Sequence, residues 1–432
     1  MWLMKTIVNK GEAVKGIAAV LAVGLALGLG LFVASGCSQG EAPGNEEGSG
    51  GSSSHQGHTP RDATQASSKT RTYYIAADEV DWDYAPSGKN QITGEPFGEE
   101  ENVFVRQGEH RIGKTYRKAL YREYTDERFT ELEPRPPEQE YLGTLGPILR
   151  AEVGDTIKVI FKNNTDFPAS MHPHGLFYEK GSEGSPYQDG TSGDKKGDDA
   201  VQPGEERTYL WEVPKRAGPG PHDPSSIMWM YHSHVDEPVD TNAGLMGPII
   251  VTREGMAEED GSPKDVDHEF VTLFTVFDEN TSPYLEQNIE EFTGDPEGVH
   301  TEDEGFVESN LMHSINCYVF GNIPIMEMEK GEKVRSYAMG MGTEVDLHTP
   351  HWHGNTVLNM GMRTHVVDPL PATMVVADMV PDAIGKWLYH CHVNDHINAG
   401  MSARYSVKQL GTWKIGAYTS TFREGKFCEL RV

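Results

Sequence analysis

Residues 386–401 read KWLYHCHVNDHINAGM and contain a cysteine, three histidines and a methionine within sixteen positions. Cys391, His396 and Met401 follow one another at intervals of five residues. A cysteine thiolate with two histidines and a weak axial methionine is the ligand set of a blue electron-transfer copper. The stretch therefore predicts such a site, with its second histidine supplied from elsewhere in the chain. Packing of these side chains in an ordinary core is the alternative.

The residues ahead of the cysteine predict a β-strand, because the run contains a tryptophan and a tyrosine, which favour strands. Side chains of a strand alternate between its two faces. Cys391 would then point one way, and His390 and His392 the other. One strand can thus hold a blue copper on one side and present imidazoles to a second metal centre on the other, which is an arrangement for electron transfer.

The length and charge of the chain limit the classes of protein it can belong to. It has 432 residues, with 37 Lys and Arg against 66 Asp and Glu, giving a formal charge of −29. At about one to two hundred residues per domain, this length predicts two domains. The acidic balance argues against a nucleic-acid partner and favours attraction of cations, although solubility in a saline or extracellular setting explains it equally well.

The first 36 residues have the features of an export signal, with lysines at positions 5, 10 and 15 followed by a long apolar run. Residues 34–37, ASGC, resemble the bacterial lipobox, so Cys37 is predicted to be the lipidated first residue of an exported, extracytoplasmic protein anchored to the cell membrane. An ordinary signal peptide and an uncleaved anchor are the alternatives. Residues 37–69 are rich in Gly, Ser and Glu and predict a flexible linker.

Two further cysteines, Cys317 and Cys428, are left without an assignment. In an oxidising compartment they could form a disulfide. Two buried thiols are the alternative.

The rest of the chain predicts an all-β protein. Short alternating or apolar runs closed by turn residues, such as DTIKVIFKNN and GPIIVTR, recur without long helical periodicity. Such runs are typical of β-sandwiches. A polar link divides them into two predicted domains, residues 70–254 and 268–432.

The two predicted domains look like copies of each other. GPILRAEVGDTIKV, HPHG and MYHSHVDE in the first correspond to IPIMEMEKGEKV, HTPHWHG and LYHCHVND in the second. The duplication predicts two similar sandwiches, each with one histidine pair on an early strand-end loop and another on a late strand.

Four His-x-His pairs occur in these blocks. They are His172/His174, His232/His234, His351/His353 and His390/His392. In an extended backbone the two rings of such a pair lie on one side, and imidazole is a good copper ligand. Two domains that each supply four histidines predict a metal cluster at a domain boundary.

The blocks around these histidines resemble those of multicopper oxidases, most closely the ceruloplasmin-like branch. RAGPGPHDPSSIMWMYHSHVDE, NCYVFGNIP and EVDLHTPHWHGNTV belong to the similarity, which covers residues 71–408. The resemblance implies two cupredoxin-like Greek-key β-sandwich domains in tandem. It also implies copper as cofactor, with four ions per functional unit: one type 1 (blue), one type 2 and a binuclear type 3 pair.

Carried over position by position, the resemblance assigns every copper ligand. The type 1 ligands would be His348, Cys391, His396 and Met401. The type 2 ligands would be His172 and His351. The type 3 ligands would be His174, His232, His234, His353, His390 and His392.

The first domain departs from this pattern at the blue site. It has Ala169, Ser233 and Pro238 where the second has a histidine, a cysteine and a histidine, so it is not expected to hold a blue copper. In two-domain members of the family, the histidine-bearing faces of the two kinds of domain meet between neighbouring subunits of a closed trimer. The resemblance therefore implies a homotrimer. A monomer that folds its own halves together is the alternative.

The implied reaction is the one-electron oxidation of a donor coupled to the four-electron reduction of dioxygen to water. Electrons would pass from Cys391 to the cluster through His390 and His392. Asp236, which follows the His232/His234 pair, is a candidate proton donor, with turn capping as the alternative.

The donor favoured by the resemblance is ferrous ion. Glu308, His313, Asp395 and Glu344 match the family's iron site beside the blue copper, and carboxylates are suitable iron ligands. Surface acids inherited with the fold are the alternative. Cuprous ion is a second possible donor, because thioethers bind it well and methionines occur at positions 326, 328, 339, 341, 360 and 362.

Three other functions are alternatives to this one. A laccase-like oxidase of phenols would need an open hollow beside His396. A non-catalytic copper-binding protein would not need the complete ligand set that this chain retains. Copper nitrite reductase carries its blue copper in the first domain, which Ala169 and Ser233 contradict.

Overall fold

The computed structural model describes residues 68–343 and 346–409, together with the backbone alone of 412–415 and 418–421. The described residues belong to one compact unit. The predicted export signal, the lipidated Cys37 and almost all of the predicted linker lie outside the described residues. Cys428 does too, so its disulfide with the buried Cys317 stays a prediction. No described helix is long and apolar enough to cross a bilayer.

The first half of the described chain forms two sheets. One has the strand order β2-β1-β4-β7-β6 and the other β3-β9-β8-β5. The strands are β1 (Thr70–Asp83), β2 (Thr115–Tyr124), β3 (Leu149–Glu152), β4 (Thr156–Asn163), β5 (His172–Pro173), β6 (Phe177–Tyr178), β7 (Glu206–Glu212), β8 (Ser226–His232) and β9 (Met246–Thr252).

The second half also forms two main sheets, with strand orders β11-β10-β13-β17-β15-β16 and β12-β19-β18-β14. Its strands are β10 (His268–Asp278), β11 (Leu311–Ile315), β12 (Met326–Glu329), β13 (Val334–Gly340), β14 (Pro350–Trp352), β15 (Val357–Asn359), β16 (Met362–Thr364), β17 (Thr373–Met379), β18 (Gly385–Cys391) and β19 (Ser402–Lys408), followed by the hairpin β20 (Thr412–Ile415) and β21 (Tyr418–Thr421). Short helices connect the strands: α1 (Asn102–Val105), α2 (Glu237–Ala243), α3 (Leu285–Phe292), α4 (Glu304–Ser309) and α5 (Asn394–Asn398).

The strand orders confirm the predicted all-β class and show the duplication. β10, β11, β13 and β17 repeat the arrangement of β1, β2, β4 and β7, and β12-β19-β18-β14 repeats β3-β9-β8-β5. In both halves the first long strand pairs in parallel with a later one, β1 with β4 and β10 with β13. These are two cupredoxin-like Greek-key sandwiches in tandem.

Burial patterns explain how the strands pack. Residues alternate between buried and partly exposed along β4, as expected of a strand with one face on a core. Every residue of β9 and of β13 is buried, because these strands are covered on both faces. One apolar cluster joins Met230 and Ile250 of the first sandwich to Phe274 and Tyr337 of the second. The two sandwiches therefore share a core.

A buried ion pair also links the sandwiches. Lys118 on β2 contacts Glu279, which follows β10, and both side chains are fully buried. The Lys118 ammonium also donates to the carbonyl of Asn242 (2.9 Å) and to the hydroxyl of Tyr84 (3.2 Å). Asn242 belongs to α2, so this lysine fixes that helix against the second sandwich.

Two glycines at equivalent positions of the sandwiches cannot be replaced by larger residues, because each has a positive φ and lies against a tryptophan ring. Gly175 and Gly354 follow the HPH and HWH sequences with φ of +71° and +74°. An added Cβ would lie 2.2 Å from the Trp229 ring at the first position and 2.5 Å from the Trp387 ring at the second. Each turn thus packs directly on a tryptophan and carries the preceding histidine pair with it.

Candidate copper centres

The histidine pairs occupy equivalent places in the two sandwiches. In the first, β5 pairs with β8 so that His172 lies opposite His232. In the second, β14 pairs with β18 so that His351 lies opposite His390. Because directly opposed residues of antiparallel strands have neighbouring side chains, each sandwich gathers its four histidines at one end of a sheet.

The first group, called the first quartet, consists of His172, His174, His232 and His234. Its ring centroids are 5.1–5.7 Å apart in five of the pairs. The second quartet consists of His351, His353, His390 and His392, with contacting centroids 4.6–5.4 Å apart. A further ring that the sequence comparison did not single out, His365, lies 5.0 Å from His351.

The spacing of the ring nitrogens fits metal binding. The Nε2 atoms of His174 and His232 are 3.0 Å apart, and so are those of His353 and His390. Two nitrogens that each bind one ion at about 2.0 Å are about 3.0–3.3 Å apart at bond angles between roughly 95° and 110°. One ligand atom from each of His351, His353 and His390 lies within 4.8 Å of the others.

Main-chain carbonyls orient several of these rings. The Nδ1 of His172 donates to the Glu183 carbonyl (2.6 Å). His232 and His390 each donate from Nδ1 to the carbonyl of the following residue (2.9 and 2.7 Å). With Nδ1 as the donor, Nε2 keeps its lone pair for a metal ion.

Burial keeps His174, His232 and His351 neutral near pH 7. It is the largest cause that lowers the pKa of His174 to about 4, that of His232 to about 3 and that of His351 to about 4. The neighbouring imidazoles lower these pKa values further. Neutral rings are the form that binds copper.

The two quartets do not meet within the chain. All eight histidines are described, and no ring contact or hydrogen bond joins a histidine of one quartet to a histidine of the other. Only His232 in the first and His390 in the second are buried, while the other six rings are partly or fully exposed. Each quartet is therefore an open half-site.

The residues predicted for the blue copper come together behind the second quartet. His348, Cys391 and His396 each offer a ligand atom within 4.8 Å of the others, and all three are buried. The Cys391 Sγ lies 3.6 Å from the His396 Nδ1. Atoms bound to one ion at about 2.3 and 2.0 Å are separated by about 3.5 Å at a tetrahedral angle. Met401 is fully buried, and its carbonyl accepts a hydrogen bond from the Cys391 amide (3.1 Å).

Two observations indicate that this group fits a copper ion. The Nδ1 of His348 is buried and has no hydrogen-bond partner, while its Nε2 donates to the Met341 carbonyl (3.2 Å). Burial also lowers the pKa of His348 to about 4, which leaves that nitrogen unprotonated. The Thr349 amide donates to the Cys391 Sγ (3.3 Å), which holds the sulfur beside the His396 Nδ1. A soft thiolate with two imidazoles and a thioether is a donor set for copper.

The first sandwich fills the corresponding position with a hydrogen bond. Ser233 occupies the place of the cysteine, accepts from the Ser170 amide (3.0 Å) and donates to the carboxylate of Asp240 (2.6 Å). Ala169 and Ala243, both fully buried, stand where the second sandwich has a histidine and a methionine. These residues offer no soft or imidazole ligand.

A cavity of about 690 Å³ opens beside His396. Its walls include His313, whose ring centroid is 5.4 Å from that of His396, and the exposed Asp395. Two other residues predicted for an iron site are not among them. Glu308 is exposed at the end of α4 and does not line the cavity, and Glu344 lies outside the described residues.

Sequence reasoning missed three acids of this cavity: Asp278, Asp346 and Glu237. Asp278 ends β10 and Glu237 begins α2 of the first sandwich, so no local spacing relates them to His396. Asp346 lies two residues before His348, and its carboxylate accepts hydrogen bonds from the Thr343 amide (2.6 Å) and hydroxyl (3.1 Å). The position of Asp346 two residues before His348 was the sequence feature that could have identified it as a site residue.

The remaining candidates have simpler environments. Asp236 is exposed and is the N-cap residue of α2, and its side chain makes no capping hydrogen bond to that helix. Four of the six methionines, at positions 326, 328, 339 and 341, are core residues, whereas Met360 and Met362 are exposed on the β15–β16 hairpin.

Two cupredoxin-like sandwiches, one buried His–Cys–His group and two histidine quartets define a copper protein with several metal centres. Two family models described as multicopper oxidase match residues 142–255 and 295–410, and the chain belongs to the multicopper oxidase family. Copper is the cofactor that this membership implies.

Several ferroxidases and related proteins are similar to the chain. Ferroxidase HEPHL1 of Homo sapiens is 47% identical over 341 residues, which are 78% of this chain and 29% of that protein. Human hephaestin is 46% identical over 343 residues (78% and 29%), and human ceruloplasmin 43% over 351 residues (80% and 31%). The chain thus spans less than a third of the length of these relatives. A solved blue copper oxidase from Nitrosomonas europaea covers 78% of the chain and 86% of its own, with 16% identity and a TM-score of 0.49.

Proposed function

We propose that the protein is a multicopper oxidase that oxidises ferrous ion and reduces dioxygen to water. Four ferrous ions and four protons are consumed for each dioxygen, giving four ferric ions and two water molecules. The observation that carries the proposal is the alternation along β18. Cys391 faces the buried His348–His396 group, and His390 next to it belongs to the second quartet. Their main chains are directly bonded, and the His390 ring also donates to the Cys391 carbonyl.

The copper ligands follow the assignment expected from the family. His348, Cys391, His396 and Met401 would hold the type 1 ion, His172 and His351 the type 2 ion, and His174, His232, His234, His353, His390 and His392 the type 3 pair. Copper bound at these sites would accept electrons from the donor one at a time. The four ions together would store the four electrons that the reduction of dioxygen requires. The chain itself contributes the covalent and hydrogen-bonded path from Cys391 to the second quartet. Asp236 is the proposed proton donor.

The complete cluster is proposed to form between chains. Each quartet supplies four histidines, and the two quartets of one chain are not in contact. A closed ring in which the first sandwich of one subunit meets the second sandwich of the next would complete every cluster. Partly exposed rings in both quartets support this arrangement. A homotrimer is the proposed ring.

Iron is proposed to bind in the cavity beside His396. Carboxylates of Asp278, Asp346 and Asp395 surround it with negative charge, which attracts a divalent cation and favours the ferric product. The His313 Nδ1 donates to the Leu311 carbonyl (2.9 Å), so its Nε2 is free to act as a ligand. Burial lowers the pKa of His313 to about 4, and the ring is neutral at the pH of most extracellular fluids.

Exchange of Asp395 for alanine is expected to lower kcat/KM for ferrous ion by about tenfold to hundredfold, because the cavity loses a charged ligand next to His396. Glu308→Ala should have a smaller effect, since Glu308 lies outside the cavity. Oxygen consumption with ferrous ion, cuprous ion and a bulky phenol measures the change for each donor. Glu290→Ala is the matched control, because it removes one exposed charge that does not line the cavity.

Selective loss of iron turnover in Asp395→Ala, with the blue absorption unchanged, supports the ferroxidase. Equal loss with all three donors contradicts an iron site. A phenol is the second candidate donor, because a cavity of this volume is large enough for a small organic molecule. Phenol turnover that exceeds iron turnover in the parent would favour it.

Residues 70–254 and 268–432 are proposed as the two cupredoxin domains. Residues 1–36 are proposed as an export signal, with Cys37 as a lipid anchor and 37–69 as the tether. A donor of electrons outside the cytoplasm would then reach the enzyme at the membrane surface.

A further inference from the structure

The second quartet has a fifth imidazole beside it. The ring centroid of His365 lies 5.0 Å from that of His351, which is closer than His390 (5.1 Å) or His392 (5.3 Å). His351 is thus in contact with four other imidazoles, and His353 is the nearest at 4.6 Å. The distance between the ring centroids of His365 and His351 is within the range found between the rings of the proposed copper ligands.

The backbone fixes His365 at this place. The Trp352 amide donates to the His365 carbonyl (3.1 Å), and the Val367 amide donates to the Pro350 carbonyl (3.1 Å). The segment after β16 therefore runs antiparallel along the free edge of β14, with Val366 opposite His351. The segment that carries His365 is thus held against the ligand strand by two main-chain hydrogen bonds, one of them to the His365 carbonyl.

The two half-sites differ at this position. In the first sandwich the Nδ1 of His172 donates to the Glu183 carbonyl, which orients the ring. His351 has no such carbonyl partner, and its Nδ1 lies 3.2 Å from the Nε2 of His390. Two imidazoles whose ring nitrogens lie this close are well placed to share an ion. The second half-site therefore lacks the orienting bond of the first and has an additional imidazole instead.

We propose that His365 is a further copper-binding histidine of the second half-site and helps to hold the ion that His351 binds. The inference rests on the proposed copper cluster. Imidazole is the ligand type that copper prefers among the side chains within reach of His351. His365 is also exposed, so it is accessible to copper before the half-site is covered by a neighbouring subunit.

Copper binding to the copper-free full-length protein tests the proposal. His365→Ala is expected to weaken binding of the type 2 ion by about tenfold and to change its electron paramagnetic resonance hyperfine splitting. The blue absorption should stay as in the parent. His365→Phe keeps an aromatic ring against His351 and removes the nitrogens, so it should show the same loss. His222→Ala removes an exposed histidine elsewhere and serves as the control.

A type 2 signal and affinity that are unchanged in His365→Ala would overturn the inference. Restoration by His365→Phe would also overturn it, because ring packing alone would then suffice. His351→Ala separates this result from a failure of the proposed function. If His351→Ala retains the type 2 signal, the proposed cluster is wrong; if it loses the signal while both His365 variants keep it, only the role of His365 is wrong.

Discussion

Cys391→Ser is expected to remove the blue absorption and to reduce oxygen consumption with any donor by more than roughly a hundredfold. Serine is nearly isosteric with cysteine, so the buried site should keep its shape. The hydroxyl cannot replace the thiolate, which is the soft ligand of the group and the first atom of the path to His390. Visible absorption and oxygen uptake measure the two effects on the same sample.

Cys317→Ser is the matched control for this experiment. Cys317 is fully buried, and its carbonyl accepts a hydrogen bond from the Trp82 indole (2.7 Å). Burial raises the pKa of the Cys317 thiol to about 12, so the thiol is neutral unless Cys317 forms the predicted disulfide with Cys428. Its replacement should leave the blue absorption intact. A Cys391→Ser protein that remains blue would refute the assignment of the thiolate ligand.

Lys118→Met is expected to destabilise the protein by about 3–5 kcal/mol, because it leaves the carboxylate of Glu279 buried without its partner. Methionine has nearly the same volume, so loss of packing contributes little. Burial raises the pKa of Glu279, and the carboxyl can take up a proton once the lysine is gone. The destabilisation should therefore be largest at high pH and become smaller as the pH falls through the raised pKa. Thermal unfolding at several pH values measures it.

Two comparisons make this prediction specific. Lys118→Met/Glu279→Leu removes both charges and should be much more stable than the single variant, since a buried pair can be replaced by apolar residues at little cost. Lys408→Met breaks an exposed pair with Glu327 and should cost less than about 1 kcal/mol. Equal destabilisation by Lys118→Met and Lys408→Met would show that the buried pair does not join the sandwiches as described.

Features that repeat at short range could be predicted from the sequence. One histidine of each His-x-His pair, together with Cys391, lies in or at the end of a strand, where the alternation of side chains determines which of them share a face. The duplication predicted two equivalent sandwiches, and the strand orders show them. Ser233 stands in the first copy where the second has Cys391, and the sequence therefore predicts that no blue site forms there.

Contacts that depend on long-range packing could not be predicted. Asp278 and Glu237 reach the cavity beside His396 from different sandwiches. The ion pair between Lys118 and Glu279 joins residues 161 positions apart. His365 meets His351 only because its segment pairs along the edge of β14. Sequence patterns do not show which distant segments pair, so these contacts can be seen only in the assembled sheets.

The central claim is that each oxygen-reducing cluster forms between two chains, and complementation tests it most directly. One variant carries His172→Ala/His174→Ala and the other His351→Ala/His353→Ala, each with its own affinity tag, and the two are produced in the same cells. Neither variant alone can complete a cluster. In a mixed trimer, one of the three interfaces joins an intact first quartet to an intact second quartet, so purified mixed trimers should have about a third of the parent's oxygen consumption. Mixed trimers without activity, or a failure of the two chains to associate at all, would contradict the account.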